Sequence, residues 1–235
     1  MMHLFYNSHI QGDNFVLEEQ ESKHAIRVLR LVSGDQVILV DGRGNWYEAT
    51  IVDDHPKRCS LQILNHTTDY QPLNYGLHMA VAPTKNLDRF EWFLEKATEI
   101  GVSEITPLIC ARSERRQVKM DRLEKILVSA MKQSLKAFKP VLHEPLSMAD
   151  FLQKDHQGTL GIAHCYPQER RGIQELELSG RYTMMVGPEG DFTEEEESAA
   201  LAEAYLPFHL GDSRLRTETA AVYITAAISF SHLKT

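Results

Sequence analysis

Two segments near the end of the chain have the residue types and spacing of ligand-binding loops. The first is the glycine loop 187–190 (Gly-Pro-Glu-Gly), which directly follows the apolar run 184–186. Glycine has no Cβ, so it lets the backbone turn tightly and a ligand approach closely. The second is the segment 210–219, which holds Arg216 and Glu218 and leads into a long apolar stretch. We expect both loops at the carboxyl ends of parallel strands, where α/β proteins bind ligands.

The composition of the glycine loop narrows the ligand that it could bind. The loop lacks the Lys-Ser or Lys-Thr of a P-loop and the spacing of a dinucleotide fingerprint, which disfavours both kinds of nucleotide site. The run 194–197 consists of four glutamates. They would stabilise a helix N-terminus and repel a pyrophosphate, whereas a cationic or zwitterionic ligand would be tolerated. Simpler interpretations also stand: a plain strand-to-helix turn for the first loop and an ion-pair cluster for the second.

Composition indicates a globular protein of ordinary character. Of the 235 residues, 43% are hydrophobic and 25% are charged. No apolar run approaches the length needed to cross a bilayer, and the N-terminus lacks the pattern of a signal peptide. Three dispersed cysteines without a CxxC pair disfavour a disulfide framework, so we expect a cytoplasmic protein with reduced thiols. The 11 histidines show no metal-ligand spacing, and we expect no metal site; His78, His164 and His209 are predicted to be core histidines.

The distribution of charge keeps RNA open as a partner, although the formal net charge is −8. Residues 112–139 contain nine Lys or Arg and only three Asp or Glu. The segment 23–30 adds a second basic stretch, with His24, Arg27 and Arg30 at helical spacing. Binding to phosphates depends on such local patches more than on the total charge. On charge alone, a solvated helix face explains the same residues.

The elements that must position these segments fall into two regions. Residues 1–70 read mainly as strands, with a turn at 42–45 and one short helix near 19–31, and they predict a small β-barrel. Residues 73–235 alternate strands and helices, which predicts an α/β domain with a mostly parallel sheet. The predicted helices include 87–100 with Gly101 as its C-cap, 121–138, one opened by a Thr193–Glu196 capping box, and 219–233.

The motifs, taken in order, resemble those of the 16S ribosomal RNA uridine-N3 methyltransferases (the RsmE family) of the SPOUT superfamily. The resemblance covers the whole chain. It rests most on the glycine loop and on the segment 215–220 (Leu-Arg-Thr-Glu-Thr-Ala), with support from 24–30, 41–44 and 91–102. Two departures stand out: Asp191 replaces a common glycine, and the segment 132–136 matches the family's Gln-Ser-x-Arg stretch only loosely.

The resemblance implies a PUA-like β-barrel over 1–70 and a SPOUT α/β domain with a trefoil knot over 73–235. It also implies a homodimer and the cofactor S-adenosylmethionine. The cofactor-binding residues implied by the resemblance are Ile162, Ala163, His164, Gly187, Pro188, Glu189, Gly190, Leu210, Gly211, Leu215, Arg216 and Thr219.

The implied reaction is methylation of N3 of a uridine in the decoding region of 16S ribosomal RNA within the small subunit. Arg216 is the candidate cation, and Glu218 is a candidate base or a partner that orients Arg216. The expected RNA contacts are Lys23, His24, Arg27, Arg30, Lys85, Arg112, Arg115, Arg116, Lys132 and Gln133. Two alternatives stay open: a SPOUT methyltransferase that acts on a transfer RNA ribose 2′-OH, and a non-catalytic RNA-binding factor of ribosome assembly.

Overall fold

The structure is a computed structural model that describes residues 3–164, 171–176 and 180–233. The chain forms two compact units. The first unit contains Met1–Pro72 and Met131–Lys139, and the second contains Leu73–Ala130 and Pro140–Thr235. The sequence predicted a single division between the units at residues 70–73. In the structure, residues 131–139 also belong to the first unit. Among the described residues, no helix has the length and apolar character needed to span a membrane.

The first unit is built on a five-stranded curled sheet, a half-barrel. Its strands in spatial order are β1 (Leu4–Tyr6), β3 (Gln36–Val40), β4 (Trp46–Asp53), β5 (Ser60–Thr67) and β2 (Asn14–Val16). Strand β3 is apolar on both faces: Val37 and Leu39 point into one buried cluster with Ile51 of β4, and Ile38 and Val40 point into another. The short helix α1 (Glu19–Lys23) continues as a π-helix over His24–Val28.

The segment 131–139 completes the first unit where a continuous helix was predicted. Helix α3 (Met120–Gln133) ends earlier than the predicted residue 138, because Leu135 adopts a positive φ of 54°. Phe138 then forms β-bridges to Gly42 and Arg43. A Cβ on Gly44, whose φ is 96°, would lie 2.2 Å from the Phe138 ring. The predicted positive-φ turn is therefore present, and glycine at position 44 makes room for an aromatic ring.

The second unit is built on a parallel sheet, as the alternating pattern predicted. Its strands in spatial order are β11 (Arg171–Gly172), β13 (Leu206–His209), β10 (Thr159–Ala163), β12 (Arg181–Val186), β6 (Gly76–Val81), β7 (Glu104–Ile109) and β8 (Val141–Leu142), with β9 (Leu146–Ser147) also paired to β7. Every strand pair described in this sheet is parallel. The trefoil knot that the resemblance implies stays a prediction.

Helices cover both faces of the parallel sheet. The remaining helices are α2 (Leu87–Ile100), α4 (Met148–Leu152), α5 (Glu194–Ala202) and α6 (Thr217–Ser231), with a 3₁₀ turn at Ile173–Glu175. One face of β6 packs with α2 and α6, and the other face packs with α4 and α5. A strand buried on both faces reads as a continuous apolar run, which is what made these strands recognisable.

The ends of the helices agree with the predicted bounds in some cases and differ in others. Helix α2 has the predicted bounds, and Gly101 ends it with a φ of 137°. The Thr193–Glu196 capping box is confirmed. Helix α6 begins at Thr217 rather than at residue 219. The predicted helix near 19–31 ends at Val28, because Arg30 has a φ of 59°.

Candidate functional site

The glycine loop follows β12, which ends at Val186, and it is held in a tight turn. The backbone N–H of Asp191 donates to the carbonyl oxygen of Pro188 at 2.9 Å. Asp191 has a φ of 62°, a conformation that glycine adopts most easily and that aspartate tolerates. Nη1 of Arg112 donates to the carbonyl oxygens of Gly190 and Phe192 at 2.9 and 3.0 Å. The departure at position 191 is therefore compatible with the turn.

The second predicted loop lies beside the first. It leaves β13 after His209, passes Gly211 with a φ of 102°, and ends at the start of α6. Oγ1 of Thr217 donates to the carbonyl oxygen of Gly187 at 3.0 Å, and both groups are buried. This hydrogen bond joins two loops that are 30 residues apart in the sequence.

A cavity of about 220 Å³ opens between the two loops at the carboxyl end of the sheet. A smaller cavity of about 70 Å³ shares Ala163 and Leu215 with it. Together we call these the carboxyl-end cavity. The predicted cofactor residues that line it are Ala163, His164, Gly187, Pro188, Glu189, Leu210, Gly211, Leu215 and Arg216. Ile162, Gly190 and Thr219, also predicted, are not among its lining residues.

Sequence reasoning missed several lining residues that are next to the predicted ones. They are Val186, Asp191, Phe208 and His209, whereas Ser213, Arg214 and Thr217 also line the cavity but lie within the predicted segment 210–219. Some of them are the last residues of strands. A rule that extends each loop to the end of its strand would have found Val186 and His209.

The charges around the carboxyl-end cavity have both signs. The carboxylates of Glu189 and Asp191 line it together with Arg214 and Arg216. Oε1 of Glu189 accepts a hydrogen bond from the backbone N–H of Lys85 at 2.9 Å. Nζ of Lys85 lies 2.8 Å from Oε2 of Glu114, and this hydrogen-bonded ion pair raises the pKa of Lys85 above its usual value. The cavity therefore suits a ligand that carries both a positive and a negative group.

The two candidate catalytic residues have different surroundings. Arg216 is the exposed N-cap residue of α6 and lines the cavity. Glu218 is only 7% exposed and is not among the lining residues. Its Oε1 lies 3.8 Å from Nε of Arg89 on α2. The structure thus presents Arg216 to a ligand and directs Glu218 toward the neighbouring helix.

The glutamates at the start of α5 do more than stabilise a helix N-terminus. Glu196 closes the capping box and also accepts a hydrogen bond from the backbone N–H of Ala111 at 2.7 Å. Glu197 is 2% exposed, and its Oε1 lies 3.3 Å from Nε2 of His164. His164 lines the smaller part of the cavity beside this carboxylate.

The predicted RNA-contact arginines of the second unit donate hydrogen bonds to backbone carbonyl oxygens of its loops. Nη2 of Arg115 donates to the carbonyl oxygen of Lys85, and Nη2 of Arg116 donates to that of Ala111, both at 3.0 Å. Together with Arg112, which donates to the carbonyl oxygens of Gly190 and Phe192, three predicted phosphate ligands thus hydrogen-bond to the backbone of the second unit. The guanidinium groups of Arg115 and Arg116 keep further N–H donors for an external partner.

The predicted RNA-contact residues of the first unit divide into paired and exposed side chains. Lys23 pairs with Glu19 at 2.6 Å, and Lys132 pairs with Glu21 at 2.9 Å. The exposed residues are His24, Arg27, Arg30 and Gln133. The predicted single basic face of one helix is wrong in detail, because the wider π turn changes the spacing of side chains and Arg30 lies beyond it.

A second pocket, of about 950 Å³, lies at the opposite end of the same sheet. We call it the amino-end pocket. His78, Glu104 and His143 line it, and Thr106, Phe151 and His156 lie beside them. Burial lowers the pKa of His78 to about 4, although the negative charge of Glu104 acts in the opposite direction. None of these residues was predicted to form a site.

Comparisons with known proteins give one consistent result. A family model described as the RNA methyltransferase domain matches residues 71–229, and a model described as the RNA methyltransferase PUA domain matches residues 17–64. A protein of Aquifex aeolicus named ribosomal RNA small subunit methyltransferase E is 27% identical over 232 residues, which cover 97% of this chain and 99% of that one.

Solved structures of similar proteins match the fold of this chain over nearly its whole length. A probable rRNA methyltransferase from Porphyromonas gingivalis is 36% identical with a TM-score of 0.91, and the match covers 98% of both chains. A ribosomal RNA small subunit methyltransferase E from Neisseria gonorrhoeae, bound to S-adenosyl methionine, is 26% identical with a TM-score of 0.88 and the same coverage.

Proposed function

The chain belongs to the RNA methyltransferase family whose model matches residues 71–229, and from this premise we propose that it methylates small-subunit ribosomal RNA with S-adenosylmethionine as the donor. The proposed target atom is N3 of a uridine in the decoding region of 16S ribosomal RNA. The observation that carries the proposal is the pair of loops joined by Thr217 and Gly187, which together bound one cavity.

The lining of the carboxyl-end cavity suits the proposed cofactor in its charges and its main-chain groups. Its walls are rich in main-chain groups, because Gly187, Pro188 and Gly211 contribute little or no side chain. Backbone amides and carbonyls of such loops can read an adenine edge through hydrogen bonds. When bound, S-adenosylmethionine supplies a methyl group on a positively charged sulfur. The carboxylate of Glu189 would compensate that charge, and Arg214 would attract the carboxylate end.

The proposed chemistry requires the N3 proton of uridine to leave and the charge on O2 and O4 to be stabilised. A fixed cation beside the base would lower the energy of that charge. Arg216 is suited to this role, because it is exposed at the cavity and its backbone is held by the start of α6. Placing the methyl donor in line with N3 would supply much of the rate. The two joined loops favour this placement because they limit motion.

Glu218 is proposed to hold the start of α6 rather than to take the proton from N3. A general base must reach the proton within hydrogen-bond distance or through one water. Glu218 is buried and faces Arg89, so its ion pair connects α6 to α2 behind Arg216. In this role it orients Arg216 through the backbone of the helix. A Glu218→Gln variant would keep most of the activity under this proposal and would lose it if the carboxylate were the base.

RNA is proposed to bind through the exposed basic side chains and to present an unpaired or flipped-out base. Single-stranded or splayed bases are the usual targets of base-specific recognition in RNA. Arg27 and Arg30 in the first unit are exposed and suited to phosphate contacts. In the second unit, Arg115 and Arg116 combine a structural hydrogen bond with further donor capacity.

The protein is proposed to act as a homodimer through the face formed by α2 and α6. These two helices pack against each other in one core cluster. They expose large apolar side chains, with Trp92 43%, Tyr223 48% and Phe230 77% accessible. A second copy would bury this apolar surface, as subunits of symmetric dimers do. Sedimentation equilibrium should give twice the chain mass, and a monomer at micromolar concentration would contradict the proposal.

The decisive experiment is methyl transfer from labelled S-adenosylmethionine to small subunits that lack the modification. The RNA is then digested to nucleosides and analysed by mass spectrometry. We expect label in 3-methyluridine from 16S ribosomal RNA. Label in a ribose 2′-O-methyl nucleoside, or label on transfer RNA only, would replace the proposal by the other SPOUT activity. Absence of cofactor binding in calorimetry would favour a non-catalytic assembly factor.

A further inference from the structure

Three neighbouring strands bring two imidazoles and a carboxylate together in the amino-end pocket. His78 on β6 and Glu104 on β7 are direct partners in the register of the parallel sheet. Glu104 is in turn the partner of Val141 on β8, and the backbone N–H of His143, which follows β8, donates to the carbonyl oxygen of Ile105 at 2.9 Å. The sheet itself therefore determines that these side chains meet.

The separation of the donor atoms is suited to a bound ion. One nitrogen or oxygen of each of the three side chains lies within 4.8 Å of the others. Four ligands at the usual zinc distances of 2.0–2.2 Å are about 3.3 Å apart in a tetrahedron. Nε2 of His143 now lies 2.7 Å from Oε2 of Glu104, a hydrogen-bond distance. For an ion to replace the shared proton, this pair must open by about 0.6 Å, and any pair at the 4.8 Å limit must close by about 1.5 Å. Both side chains are partly exposed, which gives them room for that adjustment.

The ring of His78 is already held in one orientation. Its Nε2 lies 2.7 Å from Oγ1 of Thr106, and its ring contacts that of Phe151 edge to face at 5.4 Å between centroids. When Nε2–H donates to the hydroxyl, the other ring nitrogen keeps its lone pair for an ion. A hydrogen-bonded partner of this kind is a regular feature of metal-binding histidines, because it sets the tautomer and the direction of the ring.

We infer that His78, Glu104 and His143 form a binding site for a divalent transition-metal ion, with Zn²⁺ as the fitting probe. Two imidazole ligands favour zinc, cobalt or nickel over magnesium and calcium, which prefer oxygen. With three protein ligands, the remaining coordination position faces the amino-end pocket and is open to water. The site lies at the opposite end of the sheet from the carboxyl-end cavity. The ion would connect β6, β7 and the segment after β8, and it has no part in methyl transfer.

Titration of the metal-free protein with Zn²⁺ tests the inference. After dialysis against a chelator, calorimetry should show one equivalent bound with a dissociation constant in the micromolar range or below. Co²⁺ in place of Zn²⁺ should give the visible absorption of a four-coordinate site with nitrogen ligands. A dissociation constant above about 100 µM corresponds to a binding free energy of about −5 kcal/mol, which non-specific binding to surface side chains also reaches. Such a weak affinity would overturn the inference.

Two variants and one control make the test specific. Glu104→Gln keeps the shape of the side chain and removes its charge, and His143→Ala removes a partly exposed ligand. Each should lower the Zn²⁺ affinity at least tenfold. His55→Ala changes an exposed histidine of the first unit and should leave the affinity unchanged. At the same Zn²⁺ concentration, the rise in melting temperature should be equal in the unaltered protein and His55→Ala and clearly smaller in the other two variants.

The Zn²⁺ titrations of the variants decide whether the ion binds at the proposed residues. If all variants bind Zn²⁺ as the unaltered protein does, the ion binds elsewhere and the inference is wrong. Circular dichroism of each variant establishes that it is folded, and Glu104→Gln serves if His143→Ala is not. Methyl transfer by the chelator-treated protein is measured in parallel, so that failure of the metal site and failure of the proposed activity are distinguished.

Discussion

Main-chain groups dominate the carboxyl end of the parallel sheet, whereas side chains dominate its amino end. The carboxyl-end cavity is bounded by glycine-containing loops joined through the Thr217–Gly187 hydrogen bond. The amino-end pocket is lined by histidines, a glutamate and the residues that surround them. The cavity lies at the ends of β10, β12 and β13, whereas the proposed ion site is formed by β6, β7 and the segment after β8.

The difference shows how each kind of site depends on the sequence. A backbone site needs short contiguous segments whose conformation only certain residues allow, so it leaves a motif. A side-chain site needs residues on neighbouring strands, which can be far apart in the chain. His78 and Glu104 are separated by 26 positions, and His143 by 39 more. Variants at each end can test whether the two sites are independent.

The largest effect is expected at Arg216, the proposed catalytic cation at the carboxyl-end cavity. Arg216→Ala should lower kcat at least 100-fold, about 2.7 kcal/mol of transition-state stabilisation, and change the dissociation constant of S-adenosylmethionine far less. Steady-state methyl transfer and calorimetry measure the two quantities. Arg214→Ala, in the same loop, is the matched control and should have a much smaller effect on kcat. Activity within about tenfold of the unaltered protein would exclude this role for Arg216.

A smaller effect is expected from separating the two loops. Thr217→Val removes the hydroxyl that donates to the buried carbonyl oxygen of Gly187. Leaving a buried carbonyl without its donor costs about 1–3 kcal/mol. We expect cofactor affinity to fall about tenfold, about 1.4 kcal/mol, as measured by calorimetry.

A matched variant in the same helix controls for general destabilisation. Oγ1 of Thr225 donates to the carbonyl oxygen of Ala221 at 2.8 Å, one turn earlier within α6. Thr225→Val should therefore leave cofactor affinity unchanged. Equal losses in the two variants would mean that the junction of the loops has no special part in binding.

RNA affinity should depend on exposed basic residues of the first unit, which line neither the carboxyl-end cavity nor the amino-end pocket. Arg27→Ala should weaken RNA binding a few-fold and make its dependence on salt shallower by about one phosphate contact. Arg58→Ala, also exposed in the first unit, is the control and should change neither quantity. Filter binding at several salt concentrations measures both. An RNA affinity that does not change with salt would contradict a phosphate-binding surface.

The smallest effect is expected on methyl transfer from a change at the amino end. His143→Ala should leave kcat and cofactor affinity within about twofold of the unaltered protein, a difference below about 0.5 kcal/mol. The reason is that its side chain contacts Glu104 and His78, and none of these lines the carboxyl-end cavity. A large loss of methyl transfer in a folded variant would show that the two ends are coupled.

Particular residues show where prediction from the sequence succeeded and failed. Gly101 ends α2, and Thr193 caps α5, because local backbone geometry selects these residue types. Helix α3 ends at Gln133 although the apolar spacing continues, because Leu135 turns the chain and the residues after it pack within the first unit. Short strands such as β8 and β9, two residues each, carry too little pattern to be recognised. The side chain of Ile162 is fully buried in the core, and its contact with the cofactor stays a prediction.

The sequence by itself determined the parallel α/β unit, the family, and the two loops of the carboxyl-end cavity. The family rests on the resemblance of the motifs, whereas the sheet and the loops depend on local conformation or on apolar periodicity, which neighbouring residues encode. Only the tertiary structure decided that Glu218 faces Arg89, that Lys132 pairs with Glu21, and that two histidines meet Glu104. Such contacts depend on strand order and helix packing, because these bring together side chains that no local pattern connects.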